Sequence, residues 1–237
     1  MNTQNNNDPK VVVALDFPTI QQANYFVDQL QPKLCRLKIG KELFAIGGPA
    51  FVERCIDKGF DVFLDLKYHD IPNTVAKACE AAARMGVWMV NVHALGGRKM
   101  MEAAKEAVSK SKHPPILIGV TILTSMEAAD LEEIGLSGTP RDNVLRLAKL
   151  AASSGLDGVV CSAQEASMLR QEIKQDFCLV TPGIRPANAD VNDQKRIMTP
   201  KDALVAGSSY LVIGRPITKA PDPLQALLDI NQSISGL

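Results

Sequence analysis

The sequence lacks features that are typical of nucleic-acid-binding, membrane and secreted proteins. Lysine plus arginine and aspartate plus glutamate number 26 each, so no net charge favours a nucleic-acid or membrane partner. No apolar run approaches the roughly 20 residues of a membrane span. The first seven residues are polar and uncharged, without the basic and apolar regions of a signal peptide. We therefore expect a cytoplasmic protein in which residues 1–9 form a disordered tail.

Residues that bind metal are also sparse. The three histidines form no zinc-type cluster, and no two of the five cysteines have the spacing of metal ligands. The cysteines are odd in number and lie within apolar patterns, so we expect buried free thiols in a reducing compartment. They are Cys35, Cys55, Cys79, Cys161 and Cys178.

Short apolar runs alternate with longer amphipathic stretches along the 237 residues, of which 46% are hydrophobic. Near-continuous apolar runs are typical of parallel strands covered on both faces. We predict eight strands, at residues 11–15, 34–39, 62–64, 87–92, 116–120, 158–161, 177–180 and 210–213. Helices are predicted at residues 20–30, 74–85, 98–109, 142–153, 163–174 and 223–233, and helix-ending glycines at Gly59, Gly86 and Gly155.

Eight strand–helix units without a linker indicate one α/β domain over residues 10–237, a (β/α)8 (TIM) barrel of eight parallel strands. A doubly wound open sheet is the alternative, but no Gly-x-Gly-x-x-Gly follows the first strand to support it. Two connections are long enough to be functional. Residues 123–139 are predicted to hold a short extra helix, and residues 182–196 a mobile lid rather than a solvated surface loop.

The third strand ends in a charged stretch, Asp65-Leu66-Lys67-Tyr68-His69-Asp70. Because side chains alternate along a strand, Asp65 and Lys67 are predicted to point the same way. A plain alternative is an exposed salt bridge between those two residues, worth little, with Asp70 as the N-cap of the next helix. Three charges within six positions favour a functional site.

Active sites of (β/α)8 barrels lie at the C-terminal ends of the strands, often with a phosphate site after strands seven and eight. Gly214 lets a backbone N–H approach an anion, and Arg215 offers a two-pronged guanidinium, so we predict the phosphate site there. For His93 we expect a backbone partner rather than acid–base chemistry. The polar residues at the other strand ends are Asp16, Lys38, Asn91, Thr124, Ser125 and Arg185.

With these strand ends, the chain resembles the orotidine 5′-monophosphate decarboxylase family in its bacterial form. The resemblance covers nearly the whole chain after the tail, and its most specific motif is Asp-Leu-Lys-Tyr-His-Asp-Ile-Pro-Asn-Thr at residues 65–74. The other motifs are Asp16-Phe17, Leu37-Lys38-Ile39-Gly40, Leu123-Thr124-Ser125, Pro182-Gly183-Ile184-Arg185, Gln194 and Ile213-Gly214-Arg215-Pro216.

The resemblance implies conversion of orotidine 5′-monophosphate to uridine 5′-monophosphate and carbon dioxide, the last step of de novo pyrimidine synthesis, with no metal and no organic cofactor. Lys67 is implied as the acid that protonates C6. It would act in a charged array with Lys38, Asp65 and Asp70, where Asp65 crowds the substrate carboxylate. Asp70 and Thr74 are implied to come from the second subunit of a homodimer.

The resemblance also assigns the contacts to the rest of the nucleotide. Asp16 and Lys38 would hold the ribose hydroxyls, while Arg185 would belong to the loop on the phosphate side. The pyrimidine edge would be read by Thr124, Ser125 and Gln194. The phosphate would be held by Gln194, Gly214 and Arg215.

Two rival functions stay open. A magnesium-dependent decarboxylase or synthase acting on keto-sugar phosphates has a similar Asp-x-Lys-x-x-Asp strand end, but it needs an acid where this chain has Lys38. A non-catalytic nucleotide-binding barrel is the second rival. It would gain nothing from burying Asp65 beside a substrate carboxylate.

Overall fold

A computed structural model of the protein describes residues 8–173, 176–186 and 198–237. Eight parallel strands close into a barrel in chain order, because each strand pairs with the next and the last pairs with the first. The predicted (β/α)8 architecture is confirmed. The strands are β1 (Val11–Leu15), β2 (Arg36–Gly40), β3 (Val62–Tyr68), β4 (Met89–His93), β5 (Ile116–Val120), β6 (Gly158–Val160), β7 (Cys178–Thr181) and β8 (Tyr210–Ile213).

Helices connect the strands on the outside of the barrel, and local signals fix where several of them begin. Thr139 and Ser162 each accept a hydrogen bond from the first turn of their helix, and proline occupies the first turn of five helices. The helices are α1 (Ile20–Val27), α2 (Lys41–Asp57), α3 (Pro72–Arg84), α4 (Arg98–Ser109), α5 (Ala128–Glu133), α6 (Pro140–Ser153), α7 (Ala163–Glu172), α8 (Pro200–Val205), α9 (Arg215–Thr218) and α10 (Pro223–Ser233), with a 3-10 turn at Ala94–Gly96. None of those described is long and apolar enough to span a membrane.

Most predicted elements lie within a few residues of the observed ones. The bounds predicted for β5, β8, α4 and α10 are those observed, and α5 is the short extra helix expected in the 123–139 connection. Gly59, Gly86 and Gly155 have positive φ, as helix-ending glycines do. Helix α2 was not predicted, because Gly47-Gly48-Pro49 interrupts its pattern. The helix continues across a kink at Gly48, where φ is +55°.

Two apolar layers make the core. One lies between the strands and the helices around them. The other fills the barrel itself, so the barrel is a packed core rather than a pore. The residues of this inner layer are Val12, Ala14, Phe63, Met89, Ile118, Val180 and Val212.

The N-terminal end of the barrel is closed by Arg36, which is 7% exposed. Its guanidinium lies 4.2 Å from the ring centre of Trp88 and 4.9 Å from that of Tyr210. Carboxylates of Asp8 and Asp61 lie 2.8 and 3.1 Å from its nitrogens. Asp8 thus attaches the end of the predicted 1–9 tail to the barrel, whereas residues 1–7 lie outside the described residues.

Candidate active site

Toward the C-terminal ends of the strands, the inner face of the barrel changes from apolar to charged. Side chains alternate along a strand. Asp65 therefore follows Phe63 on the inner face of β3, two residues nearer the open end. On β2, Lys38 pairs in register with Phe63, and Gly40 pairs with Asp65. This pairing brings a lysine and a carboxylate together inside the mouth of the barrel.

Asp65 is the centre of a chain of ion pairs. Its Oδ1 lies 2.6 Å from Nζ of Lys67, and its Oδ2 lies 3.3 Å from Nζ of Lys38. Nζ of Lys38 also lies 3.7 Å from Oδ1 of Asp16, which follows β1. The salt bridge between Asp65 and Lys67 considered in the sequence is formed, but Asp65 is only 8% exposed, so it is not a pair on the surface. Four of the predicted site residues therefore form one charged array.

The carboxyl group of Asp65 stays ionised although it is almost enclosed. Burial by itself raises its pKa. The cations of Lys38 and Lys67, together with hydrogen bonds from Lys67 and Asn91, outweigh that effect and hold the pKa below its ordinary value. A fixed negative charge therefore lies between two ammonium groups at neutral pH.

The sequence placed Asn91 at a strand end but gave it no role. In the structure it is fully buried on β4. Its Nδ2 donates to Oδ1 of Asp65 at 2.7 Å, and its Oδ1 accepts the backbone N–H of Lys67 at 2.8 Å. The sequence did contain a signal for this role, since an amide side chain lies within an apolar strand. A buried amide must be hydrogen-bonded, so such a residue can be expected to fix a neighbouring group.

His93 lies beside the array, and the expectation of a backbone partner for it is wrong. Its Nδ1 is buried and has no hydrogen-bond partner among the described residues. Its ring lies 5.5 Å from that of His69. Burial first, then the nearby His69, Lys67 and Lys41, lowers the pKa of His93 to about 4. A neutral imidazole therefore lies near Lys67 at neutral pH.

A second, cationic part of the mouth follows β7 and β8. Arg185 is 6% exposed, and its Nε has no partner among the described residues. Burial and the nearby charge of Arg215 both lower the pKa of Arg185. Gly214 lies beside the array, since a Cβ built on it would be 3.9 Å from Oδ2 of Asp16. Two arginines close together in a half-enclosed place favour an anion between them.

The remaining predicted site residues lie at the rim of the barrel mouth or outside the described residues. Thr124 is half-buried, whereas Ser125 and Thr74 are exposed. Asp70 is exposed and forms no ion pair within the described part of the chain; its Oδ1 accepts the N–H of Ile71 at 2.6 Å. Ile71 precedes α3 as its N-cap, so the alternative role of Asp70 as N-cap is wrong.

Gln194 and most of the predicted lid, residues 187–196, lie outside the described residues. The two described ends of that loop meet at the barrel. Ile184 bridges to Met198, and the N–H of Arg185 donates to the carbonyl of Met198 at 3.0 Å. Arg185 therefore lies at the base of that loop, where its two described ends are joined to each other.

Within the ranges that the structure describes, no three histidine, cysteine, aspartate or glutamate side chains are grouped closely enough to hold a metal ion. The five cysteines are free. At the barrel mouth, the charges available to a ligand are therefore ammonium, guanidinium and carboxylate groups.

Comparison with known proteins agrees with this fold. The model of the orotidine 5′-phosphate decarboxylase / HUMPS family matches residues 9–230. The chain belongs to this family. The resemblance seen in the sequence is thereby confirmed.

Members of the orotidine 5′-phosphate decarboxylase / HUMPS family include close relatives of this chain. The orotidine 5′-phosphate decarboxylase of Hydrogenovibrio crunogenus is 76% identical over 99% of both chains. That of Vibrio cholerae is 59% identical over 96% of this chain and 99% of its own. A crystal structure of the Lactobacillus acidophilus decarboxylase superposes with a TM-score of 0.87 and 40% identity, over 97% of this chain and all of that one.

Proposed function

We propose that the protein decarboxylates orotidine 5′-monophosphate to uridine 5′-monophosphate, the last step of de novo pyrimidine synthesis, without a metal ion or organic cofactor. The names of its close relatives support the reaction. The observation that carries the proposal is the array of Lys38, Asp65 and Lys67 inside the barrel mouth, with Lys67 Nζ 2.6 Å from the buried carboxylate.

Breaking the bond between C6 and the carboxylate releases carbon dioxide and leaves an electron pair on C6 that the pyrimidine ring delocalises poorly. The catalyst must therefore supply up to roughly 20 kcal/mol. A cation fixed beside C6 stabilises the developing charge without having to reorganise. The Lys67 ammonium fills that role and then gives its proton to C6, and solvent returns a proton to the amine.

Asp65 would lie against the carboxylate that the substrate loses. Two like charges at close range raise the energy of the bound substrate, and that repulsion disappears as carbon dioxide departs. Asp65 also fixes Nζ of Lys67 through a short ion pair. We assign it both roles.

The rest of the nucleotide would be bound by groups away from C6. Asp16 and Lys38 would hold the ribose, and Thr124 and Ser125 the pyrimidine edge. The phosphate would lie between the N–H of Gly214, the side chains of Arg185 and Arg215, and the amide of Gln194. Binding energy gained at the phosphate lowers the barrier at C6 if it closes a lid made of residues 182–196.

Asp70 and Thr74 would complete the site of a second subunit in a homodimer. Both are exposed beside Ile71, an apolar side chain that is 67% exposed. The absence of an ion pair for Asp70 within the described part of its own chain agrees with a partner elsewhere.

The magnesium-dependent rival is disfavoured by Lys38. Its ammonium lies 3.3 Å from Asp65, where it would repel a divalent cation from the carboxylate that should bind it. A non-catalytic nucleotide-binding barrel would not need the charged array of Lys38, Asp65 and Lys67.

One assay separates these functions. Purified protein is mixed with orotidine 5′-monophosphate and excess EDTA, and the ultraviolet absorbance of the orotidylate is followed. We expect the absorbance to be lost despite the chelator. A flat trace from folded protein contradicts the proposal, and turnover of a keto-sugar phosphate only after magnesium is restored would establish the rival.

A further inference from the structure

Asn91 is a polar residue in an otherwise apolar part of its strand. It lies on β4 between Val90 and Val92, and all three residues are fully buried. A buried amide is costly unless its donor and acceptor are both used. Both are used here, and both partners are on β3.

The pairing of β3 with β4 is irregular at this level. Leu64 pairs with Val90 and Tyr68 pairs with Val92, so three residues of β3 lie opposite the single residue Asn91. The ladder is interrupted there, as in a β-bulge. The Asn91 side chain accepts the N–H of Lys67, a bond that a backbone carbonyl would accept in a regular ladder.

Within this bulge Lys67 has a φ of +53°, and it is the one residue other than glycine with positive φ in the described ranges. An L-residue with a long side chain rarely adopts that conformation, so the surroundings must hold it there. The hydrogen bond from its own N–H to Oδ1 of Asn91 does so. The same turn of the backbone returns Nζ of Lys67 to within 2.6 Å of Asp65.

The other end of the amide fixes Asp65. Nδ2 of Asn91 and Nζ of Lys67 both donate to Oδ1 of that carboxylate, which leaves Oδ2 facing Lys38. The amide has one possible orientation, because only its NH2 can donate to a carboxylate and only its oxygen can accept an N–H. The Asn91 side chain therefore fixes both the orientation of the Asp65 carboxylate and the backbone of Lys67.

We infer that Asn91 is a positioning residue for the decarboxylation step, holding the Asp65 carboxylate and the Lys67 backbone in the one geometry that directs the ammonium at C6. This inference rests on the proposed function. Asn91 acts through the two residues that it binds.

Replacement by alanine tests the inference directly. In Asn91→Ala we expect kcat to fall by about 100-fold, as for a displacement of about 1 Å at a reacting group, while the Kd for uridine 5′-monophosphate changes less than about threefold. The product affinity reports whether the mouth of the barrel is still formed. A role in stability alone would leave kcat unchanged.

Asn91→Asp supplies a readout that a structural role would not produce. When ionised, the introduced carboxyl group would repel Asp65 and could not donate to it. When protonated, the same group has the shape of the amide, donates to Asp65 and still accepts the Lys67 N–H. Two carboxyl groups this close share a proton at a raised apparent pKa. The kcat of this variant relative to wild type should therefore rise as the pH is lowered from about 8 to about 5.

Other groups titrate or carry charge around the same carboxylate, so the comparison is always with wild type at the same pH. They are Asp16 after β1, Lys38 on β2, Lys67 on β3, and His93 on β4. All of these remain in the variant. A ratio of the two rates therefore isolates the added carboxyl group.

Asn143 provides a matched control. It is 1% exposed, and its Nδ2 donates to the carbonyls of Ser137 and Thr139, both at 3.0 Å, on α6 outside the barrel. Asn143→Ala should lower the melting temperature while leaving kcat near that of wild type. It measures what the loss of a buried, bonded amide does by itself.

Each outcome decides something. Wild-type protein that does not decarboxylate the nucleotide overturns the proposed function, and the inference with it. Active wild type with an unchanged kcat in Asn91→Ala overturns the inference alone. If Asn91→Ala does not fold, Asn91→Asp decides: a rate ratio that rises toward acid pH supports positioning, and a flat ratio overturns it.

Discussion

At the scale of single residues, the site depends on the ion pair that fixes the ammonium group of Lys67. Oδ1 of Asp65 holds Nζ at 2.6 Å, and a quarter of the lysine side chain is exposed to the mouth of the barrel. An ammonium held in this way is placed before the substrate arrives, so its electrostatic effect needs no reorganisation. Removing it should affect the chemical step far more than binding.

We therefore expect Lys67→Ala to have no measurable turnover while its Kd for uridine 5′-monophosphate stays within about tenfold of wild type. Stopped assays of product and calorimetric titration of the nucleotide check the two parts. Lys149→Ala is the control, because that lysine is paired with Glu172 at 2.6 Å on the outside of the protein. Near-normal turnover in Lys67→Ala would remove the acid from the mechanism.

Arg215 belongs to the same scale, at the other end of the substrate. A guanidinium binds a phosphate through two charge-assisted hydrogen bonds. We expect Arg215→Ala to lower kcat/KM about 100-fold, a loss of about 3 kcal/mol of transition-state stabilisation. Binding of uridine, which has no phosphate, should not change. An unaltered kcat/KM for the phosphorylated substrate would exclude Arg215 from the phosphate site.

At the scale of elements, close approach of strands depends on residues far from the site. Gly158 on β6 pairs with Cys178 on β7. A Cβ built on Gly158 would lie 2.6 Å from Cβ of Cys178 and 2.9 Å from its carbonyl carbon. Backbone atoms cannot move aside as a flexible side chain does, so β6 and β7 must separate to admit a methyl group.

Gly158→Ala should accordingly destabilise the protein by about 3 kcal/mol, from overpacking between two backbones. The midpoint of urea unfolding measures the loss. Gly119→Ala on β5 is the matched control, since its added Cβ meets side-chain atoms of Ala151 and Leu156 at 3.3 Å, a contact that a shift of a few tenths of an ångström relieves. Equal losses in the two variants would show that the backbone contact is unimportant.

At the scale of the whole molecule, the question is whether one chain makes a complete site. Asp70 is exposed, whereas the array around Asp65 is enclosed within the barrel mouth. A twofold dimer presents the same surface from both subunits, so a residue at the rim of one mouth can reach the other. The proposed dimer therefore predicts that two variants, each inactive alone, regain activity when their subunits form a mixed dimer.

Lys67→Ala and Asp70→Ala should each be nearly inactive alone. After mixing, dissociation in mild denaturant and reassociation, half of the dimers are hybrids with one intact site, so about a quarter of wild-type activity should return. Lys67→Ala mixed with a chain lacking both residues is the control and should stay inactive. Hybrids that form but stay inactive would place Asp70 in its own subunit's site, or in none.

Much of this protein could be predicted from its sequence because the signals are local. The alternation of apolar runs with amphipathic stretches determined the barrel, and glycines marked three helix ends. Chain order then determined which side chains follow each strand, so Lys38, Asp65 and Lys67 could be assigned to one mouth. Helix α2 was not predicted, and Gly47-Gly48-Pro49 interrupts the helical pattern there; the backbone at Gly48 is non-helical, and the helix is kinked at that residue.

Other features were decided only by the tertiary structure, because they depend on how neighbouring strands are aligned. Asn91 and Asp65 are 26 residues apart, and nothing local relates them until β3 and β4 pair. The bulge in that pairing sets the left-handed backbone of Lys67 and which oxygen of Asp65 faces each lysine. The sequence by itself determined which charged groups the site contains. Closure of the barrel decided their geometry, because the register between strands is a property of the whole sheet.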